Sequence, residues 1–439
     1  MLRLPGYQNK VTTAEGAVEL VRSGDRVWVH MGCATPEPLI EALVRRADEL
    51  RNVEIVHMVA CGSAAYARPE YAGHFRFNGL FLSGVVREAV AAGRADYTPI
   101  SLSEVERLLT DGEMPLDVAM VQTSPPDRYG YLSLGVGVDC TLTAARLARR
   151  VIVEVNQQMP RTLGNSFLHV SKVAAIVETS RPLLEMPPAE PSPVQNRIAA
   201  HVASVVPDGA TLQVGIGGIP NAVLAGLKDH RNLGIHSEMC ADGVVPLIES
   251  GVVNGSRKTL HPGKVVTGFV LGSRMLFDFI HENPAFDFQP TRYVNDPFVI
   301  AQNDNLIAVN SALEVDLTGQ VCSDSIGTRP YSGFGGQLDF IRGAGRSKGG
   351  KPIIALAATA KNGTVSRIVP VLDAGAGVVT TRSDVHYVVT EYGIAYLRGK
   401  TIRQRAEALI AVADPRFRDQ LYEFATRQHY VEPRGVLVG

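Results

Sequence analysis

Aromatic side chains and net charge are both scarce in this sequence. Of 439 residues, 6% are aromatic with one tryptophan, and 43 Lys and Arg offset 44 Asp and Glu for a formal charge of −1. A stacking platform for single strands and a basic face for a duplex need what is missing, so neither nucleic acid nor an anionic membrane is an expected partner. No stretch reaches about 18 unbroken apolar residues, and the opening MLRLPGYQNKVTTAEGAVEL has no apolar signal-peptide core, so no membrane span or secretory leader is expected. The five cysteines, Cys33, Cys61, Cys140, Cys240 and Cys322, form no CxxC pair and are odd in number, which leaves neither a disulfide framework nor a zinc site. His30, His57, His74, His236, His261 and His386 show no HxH or HExxH spacing, so no metal is expected. A reducing cytoplasm is the setting these absences fit.

What the chain does have is 45% hydrophobic residues, 42 glycines and 26 prolines, the composition of a globular α/β protein too long for one ordinary core. Apolar runs alternate with helical patterns throughout. A strand is expected at Arg26–His30, followed by a turn at Gly32 and the helix PEPLIEALVRRADEL; ADYTPISL, DVAMVQT and VIVEVN are further strands. The order returns later: Asp208-Gly209-Ala210, the strand TLQVGIG, a turn to Pro220, and the helix NAVLAGLKDH. Gly24 and Gly209, and Gly32 and Gly217, share one offset, which marks an internal duplication. The expected fold is therefore α/β, two duplicated, open, mainly parallel domains, residues 1–185 and 186–439, joined by the proline-rich RPLLEMPPAEPSP. LIAVNSALEVDLTG, PIIALAATA and VVTTRSDVHYVVTEYG are expected strands of the second half, and TIRQRAEALIAVADPRFRDQLYEFAT a helical tail.

The most informative stretch runs from Val214 to Gly243. Its first part, VGIGGIPN, follows a strand and opens a helix, so backbone N–H groups there can meet an anion. Its second part, LGIHSEMCADG, is a strand end that delivers Glu238 into a turn. A carboxylate beside a bank of amide donors is the equipment of covalent acyl chemistry. Pro220 stands where a dinucleotide fingerprint would carry its third glycine, which counts against a nicotinamide dehydrogenase. A non-catalytic metabolite-binding protein would have no need of the carboxylate.

The GIGxIPNAV turn followed by HSExxxDG resembles the acetyl-CoA hydrolase/transferase family of class I coenzyme A transferases, and in particular its 4-hydroxybutyrate coenzyme A transferase branch. The resemblance extends to YSGFGGQLDF, NSALEVDL and DVHYVVTEYG. It implies the class I transferase fold, a homodimer, and acyl-CoA and small carboxylates as substrates with no tightly bound cofactor. It also implies Glu238 as the nucleophile, passing through a glutamyl-CoA thioester in a ping-pong transfer. By the same resemblance Gln213, Val214, Gly215, Ile216 and Gly217 bind coenzyme A and oxyanions, Leu313 lines the coenzyme A channel, Gly336 turns its amide to the acyl carboxylate or thioester, and Lys361 meets a coenzyme A phosphate. Gln122 with Pro125-Pro126-Asp127 and Gly130-Tyr131 resembles the family's substrate-facing loop. Acetate, butyrate and 4-hydroxybutyrate are the leading acids. A hydrolase of the same fold differs only in admitting water, and a succinyl-CoA or itaconate type of dicarboxylate transferase would need an extra cation in the acyl pocket.

Overall fold

Runs such as VAMVQT and VIVEVN are apolar on both faces, the pattern of strands covered by helices on two sides. In the computed structural model, which describes residues 6–433, they are central strands of the first of two large sheets. That sheet contains β1 (Arg26–Val29), β2 (Val53–Val59), β3 (Phe75–Phe81), β4 (Asp96–Tyr97), β5 (Val118–Thr123), β6 (Arg150–Asn156) and β7 (Ala175–Thr179). It is wholly parallel, in the order β4-β3-β2-β1-β5-β6-β7. The second contains β8 (Thr211–Val214), β9 (Gly234–Cys240), β10 (Val265–Val270), β11 (Phe286–Phe288), β12 (Leu306–Asn310), β13 (Lys351–Ala355), β14 (Tyr387–Thr390) and β15 (Gly393–Tyr396). Its order is β11-β10-β9-β8-β12-β13-β14-β15, parallel except for the closing hairpin β14-β15.

The order of the seven parallel strands is the same in both sheets, the second adding only the antiparallel edge strand β15, so the duplication read from the glycines is a duplication of topology. Val27 pairs with Ile55 and Val118, and Leu212 pairs with Ile235 and Ile307. The turns match too. Gly24 and Gly209 lie at φ 80° and 77°, Gly32 and Gly217 at 59° and 111°, and Asn52 and Asn232 both at 56°, the left-handed region where glycine and asparagine are least strained. Glu54 pairs with Arg26 as Gly234 pairs with Thr211, and four residues on from these equivalent positions buried Met58 in the first half corresponds to Glu238 in the second. The acidic side chain belongs to one copy alone.

One apolar cluster runs through both halves, from Trp28 and Val121 to Val223, Phe269 and Phe286. Backbone joins them as well: Gly137 bridges to Phe269, Gly164 to Phe288 and Ser101 to Gly335. At Gly164, φ 100°, a Cβ would overlap the Phe288 backbone, so only glycine permits that approach. The helix α1 (Leu102–Thr110) turns Leu102, Val105 and Leu109 inward together with Glu106. Glu106 survives burial because the Thr143 and Thr291 hydroxyls and the Arg292 N–H, at 2.8 Å, all donate to it.

Several local expectations shift. ADYTPISL keeps only Asp96–Tyr97 as strand, because Leu102 already begins α1. LIAVNSALEVDLTG breaks after Asn310 into a second short strand, Glu314–Asp316, in a separate small sheet. The tail is two helices, Ile402–Val412 and Pro415–Arg427: Asp414 accepts from the Arg416 N–H at 3.0 Å and Pro415 opens the second, an N-cap signal that overrides the helical periodicity. Residues 180–192 form neither helix nor strand. No helix of the described residues is long and apolar enough to cross a membrane.

At the end of β7 the chain is pinned by a buried charge pair. Arg181 donates twice to Glu154, Nε at 2.7 Å and Nη2 at 2.9 Å, and Thr179 Oγ1 adds a third bond at 2.9 Å. Removing the cation strands a fully buried carboxylate. Arg181→Met is therefore expected to lower stability by about 2–3 kcal/mol in urea unfolding at pH 7.

Candidate active site

Along β9 side chains alternate, so His236 and Glu238 share one face and Ser237 and Met239 the other. Glu238 lies inside the strand, not in a turn after it: pairing continues through Met239 with Phe269 and Cys240 with Val270, and the bend waits for Ala241. The shared face meets α2 (Gln337–Arg346) and the segment Thr291–Asn295. The neutral His236 donates from Nε2 to the Val294 carbonyl at 2.8 Å and lies against Phe340; burial pushes its pKa down to about 3. It fixes the floor beneath the carboxylate and carries no charge at neutral pH.

Glu238 is half-buried, its remaining surface facing a cavity. Asn295 Nδ2 donates to its Oε2 at 2.9 Å. Burial pushes the Glu238 pKa up to about 7, with the nearby Asp339 carboxylate adding to the rise, while the Asn295 amide and the Gly336 N–H pull the other way. Gly336 caps the N-terminus of α2, where free amides favour negative charge. A Cβ there would overlap both Glu238 Oε2 and Asn295 Nδ2, so any side chain at this position must push the carboxylate and its amide donor aside. Asp339, one turn into α2, is itself raised to about 6 by burial and is held by the Ser103 N–H at 3.1 Å and Oγ at 2.8 Å. Ser103 belongs to the first half. The support of the carboxylate thus crosses the interface between the halves.

The cavity has a volume of about 370 Å³. Around it the structure gathers Gln213, Gly215, Leu313 and Gly336 with Glu238, and Gln213 Oε1 accepts from Asn310 Nδ2 at 3.0 Å. Phe81, from the first half, and Tyr331 and Phe334 supply apolar wall. The other expected residues lie elsewhere. Val214 turns its side chain into the core, and its N–H faces Ser237 Oγ at 3.4 Å. Ile216 and Gly217 line a neighbouring pocket of about 210 Å³ with Met186, Pro187, Pro188 and Asp242. Lys361 sits exposed at φ 47° in the turn between the short strands Thr359–Ala360 and Val365–Ser366 and lines neither cavity.

Gln122, matched to a substrate-facing loop, is fully buried and structural. Its amide donates to the Ala34 and Thr35 carbonyls and its Oε1 accepts from Asn156 at 2.9 Å. Conversely, Asn295, Asp339 and Arg367 reach the site without having been singled out in the sequence. Asp339 stood inside a quoted motif, but Asn295 and Arg367 had no local signal, since neither sits beside a glycine turn. Among the described residues no three His, Cys, Asp or Glu side chains cluster to hold a metal.

Comparison with known proteins agrees over nearly the full length. The model of the acetyl-CoA hydrolase/transferase N-terminal domain matches residues 3–185 and that of the C-terminal domain matches 272–425, leaving Glu238 between them. The chain is 52% identical over 422 residues to the 4-hydroxybutyrate coenzyme A transferase of Clostridium kluyveri, covering 96% of this chain and 98% of that one. It is 47% identical to a succinyl-CoA:acetate/propanoyl-CoA:succinate CoA transferase of Fasciola hepatica, covering 98% and 91%. The crystal structure of RipA from Yersinia pestis superposes with a TM-score of 0.92 at 41% identity, covering 97% and 98%. Identity at this level to named CoA transferases over nearly the full length makes this molecule an enzyme of the CoA-transferase class. Within that class, the chain belongs to the acetyl-CoA hydrolase/transferase family.

Two outcomes follow from the geometry around Glu238. Between its ordinary pKa of 4.5 and about 7, the folded protein keeps a proton that the unfolded chain has lost, so stability falls as pH rises through that window. Glu238→Gln is expected to unfold at higher denaturant than wild type at pH 8, by on the order of 2 kcal/mol, with the gain vanishing below pH 4.5. Gly336→Ala is expected to displace Glu238 and cut turnover about a hundredfold or more while circular dichroism stays native; unchanged turnover would contradict the crowding described.

Proposed function

We propose that the protein transfers coenzyme A between a short-chain acyl-CoA and a carboxylate through a covalent intermediate on Glu238. The observation that carries this reading is a single carboxylate facing a cavity, flanked by the Asn295 amide and the N-terminal amides of α2. A carboxylate in such a place is a nucleophile whose attack creates an oxyanion where donors already wait.

In the first step a Glu238 oxygen bonds to the thioester carbonyl carbon, and the tetrahedral oxyanion collapses by expelling the coenzyme A thiolate, leaving a mixed anhydride. The thiolate then attacks the glutamyl carbonyl; the C–S bond forms, the anhydride C–O bond breaks, and the donor acid departs as a carboxylate. A second carboxylate attacks the glutamyl thioester and the same steps run backwards. Coenzyme A is a substrate throughout, and no resident cofactor is required. Asn295 and Gly336 serve as donors to the changing charge on the glutamyl oxygens, and a lining position in the same cavity supports the same role for the Gly215 amide.

The acids that this reading favours are 4-hydroxybutyrate, butyrate and acetate, supported by the 52% identity to the Clostridium kluyveri enzyme. Succinate enters through the Fasciola hepatica relative. Incubation with acetyl-CoA or butyryl-CoA in the absence of acceptor acid, read by intact mass and peptide mapping, is expected to show a coenzyme A adduct on the peptide holding Glu238, absent in Glu238→Ala. Its rate of formation should rise with pH through about 7 and level off above, because only the ionised carboxyl attacks. An adduct that discharges to free coenzyme A without added acid would make the enzyme a hydrolase instead, and no adduct with any acyl-CoA would sink the covalent route.

A further inference from the structure

The cavity that holds Glu238 contains one other charged side chain, Arg367. Its position follows from the short hairpin after β13: the second strand, Val365–Ser366, leads the chain back so that the Arg367 carbonyl accepts from the Val315 N–H and its N–H donates to the Ala358 carbonyl, both at 2.8 Å. The backbone is therefore fully engaged. The guanidinium is not. Half-buried arginines elsewhere find acceptors: Arg150 meets Asp25, Arg161 meets Asp127 and Arg181 meets Glu154, and the buried Arg405 reaches three carbonyls. Among the described residues, the Arg367 guanidinium makes no hydrogen bond and no ion pair. Tyr331, on the cavity wall, and buried Glu391 lie close enough to steady its charge, but neither hydrogen-bonds to it, and the Glu391 carboxylate is taken by the Ala358 N–H at 2.8 Å. Five N–H donors in a partly desolvated fork, unpaired and facing a cavity, are arranged for an anion that the folded chain does not supply.

The proposed reaction requires such an anion. After coenzyme A has been transferred to Glu238, the glutamyl thioester is neutral, and the acceptor acid must enter the cavity as a desolvated carboxylate. With Glu238 esterified, Arg367 is the charge left in the cavity, and it is of the needed sign. We propose that Arg367 receives the reacting carboxylate of the acid substrate, docking the acceptor as it attacks the glutamyl thioester and the donor acid as it leaves. The inference rests on the glutamyl-CoA route above. The step itself is unaltered: the acid oxygen bonds to the glutamyl carbon, the C–S bond breaks, and the thiolate carries away the electron pair. A cavity of about 370 Å³ accommodates an acyl group and the thiol end of coenzyme A. The nucleotide phosphates lie many bonds farther along the cofactor chain, which favours the acid as the source of the anion.

Arg367→Gln and Arg367→Lys test this beside wild type. All three are expected to form the Glu238 coenzyme A adduct from acetyl-CoA, which also certifies their folding. Discharge of the adduct by acetate should need about tenfold or more acid in Arg367→Gln, with Arg367→Lys between it and wild type, and KM for acetyl-CoA little changed. Three results would overturn the assignment. Unchanged acetate dependence would show that Arg367 touches no acid. A raised KM for acetyl-CoA with acetate unaffected would give the residue to the coenzyme A phosphates. A defect with succinate alone would make it a reader of a distal carboxylate. Adduct formation in all three proteins with any of these outcomes leaves the glutamyl route standing, whereas no adduct in wild type removes that route and this assignment together.

Discussion

Everything at the site depends on keeping one carboxylate in a partly desolvated place without neutralising it by an ion pair. A cation in contact would hold Glu238 ionised but would also blunt it as a nucleophile and fill the space a thioester must enter. The protein instead uses neutral donors, the Asn295 amide at 2.9 Å and the N-terminal amides of α2, which stabilise charge without occupying the cavity. The raised pKa records the compromise: burial outweighs the donors, and the group titrates near neutrality.

That compromise requires a rigid surround, and the surround is built from both halves. Ser103 from α1 grips Asp339, Asn295 stands between the two carboxylates, and the Leu102 N–H donates to the Gly335 carbonyl beside the cavity at 2.9 Å. Phe81, at the end of β3, packs against the glycine-rich loop, where a Cβ on Gly333 would collide with it. The first half has Met58 in place of the glutamate, and its own crevice is closed by the Gln122, Asn156 and Arg181 network. Duplication thus gave two frames of one topology. One became the site and the other its wall.

Much of this was legible in the sequence because short-range physics wrote it. Glycine and asparagine at positions requiring positive φ marked the repeated turns, apolar runs marked buried parallel strands, and the alternation of strand and helix set the sheet class. The same local logic failed where a cap or an early helix start overrode periodicity, at Asp414 and at Leu102. Within the glycine turn, the motif suggested a continuous binding loop. The structure divides it: Gly215 faces the Glu238 cavity, Val214 faces the core, and Ile216 and Gly217 face the pocket beside the linker.

The sequence by itself determined the duplicated α/β architecture and the presence of Glu238 and Gly336, since each of these depends on a residue and its immediate neighbours. Only the tertiary structure decided that Asn295 would donate to the carboxylate, that Asp339 would be held from the other half, that Gln122 would be structural, and that Arg367 rather than Lys361 would face the cavity. These are contacts between segments tens to hundreds of residues apart. No periodicity or turn signal encodes them, because they exist only once the two halves have packed on a shared apolar cluster and excluded water from the space between.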